Sequence, residues 1–101
     1  MMPEQRKNIL VIDDEVEMRR LLSFVLSANG YAVYCAGNGA EGLRCAADLS
    51  PDLVILDLLL PVMHGLDVCR ALRAWYLRPI LFLTVSTSER DLIAALDAGG
   101  D

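Results

Sequence analysis

Lysine is nearly missing from this sequence. Lys7 stands alone, and lysine plus arginine number 9 against 14 acidic residues, a net charge of -5. A chain so poor in positive charge is a weak binder of nucleic-acid backbone, whose affinity comes from neutralised phosphates. Its acidic excess suits a cation site or a basic partner. Cysteine is scarce too: Cys35, Cys45 and Cys69 form an odd set without a C-x-x-C pair. That excludes a disulfide framework and reads as reduced, structural thiols. Long apolar runs are also lacking. Leu53 to Leu60 is interrupted by Asp57, far short of the ~20 residues that cross a bilayer. The first apolar run, Ile9 to Ile12, ends in acids and does not resemble a secretion signal. These absences point to the cytoplasm, with no membrane partner.

What remains is core material. Of 101 residues, 54% are hydrophobic and 23% charged, which is ample for one small globular domain over 1–101. Ile9 to Ile12, Tyr31 to Ala36, Leu53 to Leu56 and Ile80 to Leu83 read as strands. Between them lie helical patterns. Glu17 to Ala28 sets Met18, Leu21, Leu22, Val25 and Leu26 on one face and stops at Asn29-Gly30. Ala40 to Leu49 follows and breaks at Ser50-Pro51-Asp52. Leu66 to Ala74 sets Val68, Leu72 and Trp75 at helical spacing, and Ser88-Glu-Arg-Asp91 caps a last helix through Ala98. Buried strands alternating with amphipathic helices predict a doubly wound α/β fold with a parallel sheet.

Ligands of such sheets bind beyond the carboxyl ends of the strands. The first strand ends in Asp13-Asp14-Glu15, the third in Asp57 and the fourth in Thr84-Val85-Ser86. If those strands are neighbours, Asp13, Asp14 and Asp57 converge and repel. A hard divalent cation such as Mg²⁺ removes the conflict. It also prepares a carboxylate to attack a phosphoryl group, whose oxygens the Thr84 hydroxyl can then bind. An acidic pair after a strand is otherwise a solvated turn or a helix N-terminus favoured by the dipole. That reading weakens because Asp57 ends an otherwise apolar run.

Gly37 to Gly42, GNGAEG, competes for attention because it spells the G-x-G-x-x-G of dinucleotide-binding folds. Asp57 stands twenty positions beyond Gly37, near where a ribose-binding acid belongs. The motif follows the second strand rather than the first, however, and a nucleotide module leaves Asp13, Asp14, Pro61 and Thr84 without a role. GNGAEG is better explained as a tight strand-to-helix turn, with Asn38 and Gly39 tolerating left-handed backbone.

The pieces ILVIDDE, VILDLLLPVMHG with its D-x-x-x-P-x-x-x-G spacing, PILFLT and AALDAGGD carry a resemblance. Over essentially its whole length the chain resembles the receiver domain of two-component response regulators. ALRAWYLRPI and DLIAALDAGGD are most similar to the winged-helix OmpR/PhoB-type subgroup, in particular its potassium-uptake regulators. The resemblance implies a CheY-like (flavodoxin-like) fold with strand order 2-1-3-4-5. It makes Asp57 the phosphate acceptor, supplied by a sensor histidine kinase. Mg²⁺ would be held by Asp13, Asp14, Asp57 and the backbone carbonyl of Leu59, with Asp14 the likelier direct ligand of the acidic pair. Thr84 would be the switch hydroxyl. Such a domain catalyses its own phosphorylation and dephosphorylation and is not otherwise an enzyme. A phosphatase with an aspartate nucleophile fits less well, because Asp57-Leu-Leu59 lacks a second acid two residues on.

The sequence departs from the family in what it lacks. The family lysine at the end of a fifth strand has no counterpart, since Lys7 precedes the first strand. The sequence ends at Asp101, before a fifth strand and fifth helix, and without an effector domain. The expectation is therefore strand order 2-1-3-4, an uncovered sheet face and an open fourth-strand edge. Either surface would favour association between copies. Val85 is larger than the small residue usual after Thr84 and narrows access to Asp57. His64 stands where the family has acidic or small residues and reads as a solvent-exposed loop histidine. A degenerate receiver that works only through protein contacts is the alternative the missing lysine keeps open.

Overall fold

The structure is a computed structural model and describes residues 6–83, 97 and 99. The four short apolar runs become β1 (Asn8–Ile12), β2 (Ala32–Ala36), β3 (Leu53–Asp57) and β4 (Ile80–Leu83). The helices between them are α1 (Val16–Ala28), α2 (Gly39–Leu49) and α3 (Gly65–Arg73). All strand pairs are parallel and the order is β2-β1-β3-β4. The predicted final helix lies almost wholly outside the described residues.

Alternation along the strands divides the core into two layers. Leu10, Ile12, Val54, Leu56 and Ile80 point to the side covered by α2 and α3, where Ala46, Val68, Cys69, Leu72 and Tyr76 meet them. Ile9, Val11 and Ile55 point to the α1 side and take Leu22 and Leu26 as partners. Both faces are apolar, which is why these strands read as continuous runs.

The two faces are not covered equally. The predicted five-residue stripe on α1 splits. Leu22 and Leu26 pack on the sheet, while Leu21 and Val25 are exposed and Phe24 is 70% exposed. Leu81, on the same side as Ile55 by register, is also exposed. Among the described residues, α1 alone cannot seal its face of a four-stranded sheet.

Two local expectations are corrected. Trp75 does not continue the buried stripe of α3. The helix stops at Arg73, Trp75 is 45% exposed, and Tyr76 takes the core position at 3%. The ending helix turns Tyr76 inward, and its hydroxyl donates to the Pro51 carbonyl at 2.8 Å. Leaving the helix thus lets an aromatic ring fill the core while its polar tip finds a partner.

The second correction concerns GNGAEG. Asn38 has φ -156°, ordinary extended backbone, and its side-chain oxygen accepts from the Glu41 N–H at 2.8 Å to cap α2. Gly39 opens that helix and is not left-handed. The glycines serve close packing. A Cβ on Gly39 would stand 2.8 Å from Val68 Cγ2, and one on Gly42 would stand 2.5 Å from Ile12 Cδ1. Left-handed backbone is used elsewhere, at Gly30 after α1 and at Ser50, which ends α2.

Candidate functional site

The strand order makes β1 and β3 neighbours, so the residues at their carboxyl ends meet. Asp13 follows β1 and is 4% exposed. Its backbone N–H donates to the Ala36 carbonyl at 3.1 Å, extending the pairing with β2 by one bond. Its side-chain Oδ1 accepts from the Glu15 N–H at 2.9 Å. Its carbonyl accepts from Arg19 Nη1 at 2.8 Å. Asp14 is exposed at the tip of this turn, just before α1.

Asp57 is the last residue of β3, in register with Leu83. Its Oδ1 accepts from the Leu59 N–H at 3.0 Å. The loop beyond it is pinned by alternate leucines: Leu58 and Leu60 are buried, Leu59 is half exposed. The Leu58 N–H reaches the Leu83 carbonyl at 3.1 Å, and the Gly65 N–H reaches the Leu58 carbonyl at 3.0 Å. Gly65 is where α3 starts against the end of β3. A Cβ there would collide with the Asp57 carbonyl and stand 2.7 Å from Leu58 Cα. This explains the glycine of D-x-x-x-P-x-x-x-G: it allows a helix to begin directly behind the acidic strand end.

Asp13, Asp14 and Asp57 each offer an oxygen, and these atoms lie within 4.8 Å of one another. They open into a cavity of about 250 Å³ that Glu15, Met18, Leu59 and Leu83 complete. Burial pushes the Asp57 carboxyl above its ordinary value of 3.8; the Leu59 N–H works against this, while the charges of Asp13 and Asp14 add to it. An all-oxygen donor set with room for water fits Mg²⁺ rather than a softer metal. The crowding of like charge is what a cation would relieve.

Among the predicted site residues, Asp13, Asp14 and Asp57 are brought together and Leu59 lines the same cavity. Thr84 and Val85 lie outside the described residues. His64 is not one of the clustered acids' neighbours but the N-cap of α3, its Nδ1 accepting from the Leu66 N–H at 3.2 Å. The expectation of a plain exposed histidine is thereby corrected: it is half-buried and caps a helix. The sequence reading passes over Arg19. Its only trace there is indirect, in the bare glycine at 37 against which the guanidinium lies.

The family model for the response regulator receiver domain matches residues 9–101. The chain belongs to the response regulator receiver family. This receiver domain is 48% identical over 93 residues to the transcriptional regulatory protein KdpE of Mycobacterium tuberculosis, covering 92% of this chain and 41% of that protein. It is 42% identical over 100 residues to the DNA-binding response regulator MtrA of Mycobacterium bovis, covering 99% of this chain and 44% of that one. Both are regulators of the OmpR/PhoB type, in keeping with the subgroup the sequence suggested. The chain thus spans less than half the length of these curated relatives.

Among solved structures the receiver is similar to the chemotaxis protein CheY4 of Vibrio cholerae. The TM-score is 0.90 at 32% identity, covering 94% of this chain and 82% of that one. It is also similar to the BeF3-activated N-terminal receiver domain of RstA from Klebsiella pneumoniae, with TM-score 0.89 at 31% identity, over 93% and 80% of the two chains. The CheY-like fold expected from the sequence is the fold observed. No helix among the described residues is long and apolar enough to cross a membrane.

Proposed function

We propose that this receiver domain accepts a phosphoryl group on Asp57 from a sensor histidine kinase. The observation that carries the reading is the convergence of oxygens from three carboxylates within 4.8 Å of one another at the ends of adjacent strands, with Asp57 lining the cavity they open into. Asp13, Asp14, Asp57 and the Leu59 carbonyl would hold Mg²⁺, which neutralises charge on the transferring oxygens when bound. The chain's own residues set the geometry. The Leu59 N–H fixes one oxygen of Asp57. Leu58 and Gly65 lock the strand end from behind. A carboxylate oxygen of Asp57 attacks phosphorus, the bond from phosphorus to the donor nitrogen breaks, and the donor imidazole leaves with a proton from solvent. The phosphoaspartate carries about two negative charges at the mouth of the site, about one more than the carboxylate it replaces. Thr84 is the hydroxyl proposed to respond to it.

Incubation with Mg²⁺ and a small phosphodonor should add one phosphoryl group by intact mass, and Asp57→Asn should remove the adduct. An adduct that persists in Asp57→Asn, or none in the unaltered chain, overturns the reading. The second result favours a receiver that acts through protein contacts only. We also propose that the exposed apolar α1 face, with Leu21, Phe24, Val25 and Leu81, is where a second copy docks. Sedimentation should show a concentration-dependent dimer that Phe24→Glu weakens; a monomer at all concentrations argues against it.

A further inference from the structure

Asp13 is held at each of its polar groups. β2 holds its N–H through the Ala36 carbonyl, Glu15 holds its carboxylate, and Arg19 holds its carbonyl at 2.8 Å. The first of these is a backbone bond at a strand end, and the second joins the Asp13 side chain to the backbone of its own turn. The third comes from a side chain on α1 that reaches back across its own helix start. The guanidinium lies against position 37, which has no side chain: a Cβ on Gly37 would stand 3.3 Å from Arg19 Nη1 and 3.7 Å from Cζ. Gly37 is not among the left-handed glycines, so backbone strain does not require glycine there. What a side chain there would meet is the Arg19 guanidinium, which would have to give by a few tenths of an ångström.

We infer that Arg19 is a positioning residue for the cation site, setting the Asp13–Asp14 turn through the Asp13 carbonyl, with Gly37 as the floor that lets it do so. The inference rests on the proposed Mg²⁺ site. A fixed backbone at Asp13 leaves Asp14 hinged from one defined point, so its carboxylate meets the cation without reordering the turn. Groups that orient metal ligands from outside the coordination shell carry much of a site's affinity.

The sign of the effect separates this role from simple electrostatics. A cation near three carboxylates weakens Mg²⁺ binding by charge alone, so removing it should tighten binding. Loss of positioning weakens binding instead. Mg²⁺ affinity is measured calorimetrically on the unaltered chain, Arg19→Met, Arg19→Lys, Gly37→Ala and the Arg19→Met/Gly37→Ala pair. Arg19→Met should raise the dissociation constant about tenfold, the low end for outer-shell partners. Arg19→Lys should recover part of the loss. Gly37→Ala changes no charge, yet the guanidinium must give way by a few tenths of an ångström, so it should shift affinity in the same direction by less. In the Arg19→Met background it should add nothing. An unchanged or tighter dissociation constant in Arg19→Met overturns the inference while leaving the Mg²⁺ site standing. An unaltered chain that binds no Mg²⁺ overturns the site itself and the inference with it.

Discussion

Gly65→Ala should cost the domain its stability, lowering the melting temperature on the order of 15 °C or preventing folding, as expected for a loss of about 3 kcal/mol in a chain of this size. The methyl would strike the Asp57 carbonyl and stand 2.7 Å from Leu58 Cα and 2.9 Å from the Leu58 carbonyl oxygen. All three obstacles are backbone atoms. They cannot rotate away as a side chain does. The Gly65 N–H also donates to the Leu58 carbonyl at 3.0 Å, so pushing α3 back breaks that bond as well. Relief requires moving either α3, whose Val68 and Leu72 are fully buried, or the end of β3, which carries Asp57. Gly37→Ala is the control. Its obstacle is the far end of a flexible arginine at 3.3 Å, and it should melt close to the unaltered chain. Equal melting temperatures for Gly65→Ala and Gly37→Ala would show that α3 does not begin hard against β3.

Asp57→Asn should melt higher than the unaltered chain at neutral pH without divalent cations, and should lose that advantage in acid. The folded chain raises the Asp57 carboxyl above 3.8, first by burial and then by the charges of Asp13 and Asp14. A folded state that holds the proton more tightly than the unfolded one is penalised when the proton leaves. The penalty is absent below the ordinary carboxylate value. It grows as pH rises from there through the raised folded value, and it is complete above that. Asparagine cannot ionise, so its gain follows the same window. Mg²⁺ should invert the ranking. At a hundred times its dissociation constant a ligand adds about 2.7 kcal/mol, a shift on the order of 10 °C here. The unaltered chain should show that shift and Asp57→Asn most of its loss. Circular-dichroism melts at several pH values, with and without Mg²⁺, test both halves. Equal melting of the two chains at every pH would remove charge crowding as the reason for a cation.

The unequal cover of the sheet connects these results to the exposed surface. The α2/α3 side buries Leu10, Ile12, Leu56 and Leu72 completely. On the α1 side, Phe24 and Leu81 remain in water. Burial of apolar area is worth ~25 cal/mol per Å², so a partner on that face gains what the chain by itself leaves unused.

Much of this was legible in the amino-acid sequence alone, and for a physical reason. Ile9 to Ile12, Leu53 to Leu56 and Ile80 to Leu83 announce strands because a parallel sheet between two helical layers needs apolar residues on both faces. The pair Asp13-Asp14 and the single Asp57 announce a site because acid follows such a run where a strand must end. These are local properties, written in neighbouring residues. The sequence could not say which aromatic enters the core. Trp75 has the helical spacing, but the helix stops at Arg73, and only the Pro51 carbonyl across the fold selects Tyr76. Nor could it say why GNGAEG is glycine-rich. Gly39 and Gly42 answer to Val68 and Ile12, and Gly37 to Arg19, none of them its sequence neighbours. A G-x-G-x-x-G spelling reports only that side chains are missing. What needs the space is decided by the elements that close over it, and here those are two helices and a strand rather than a nucleotide.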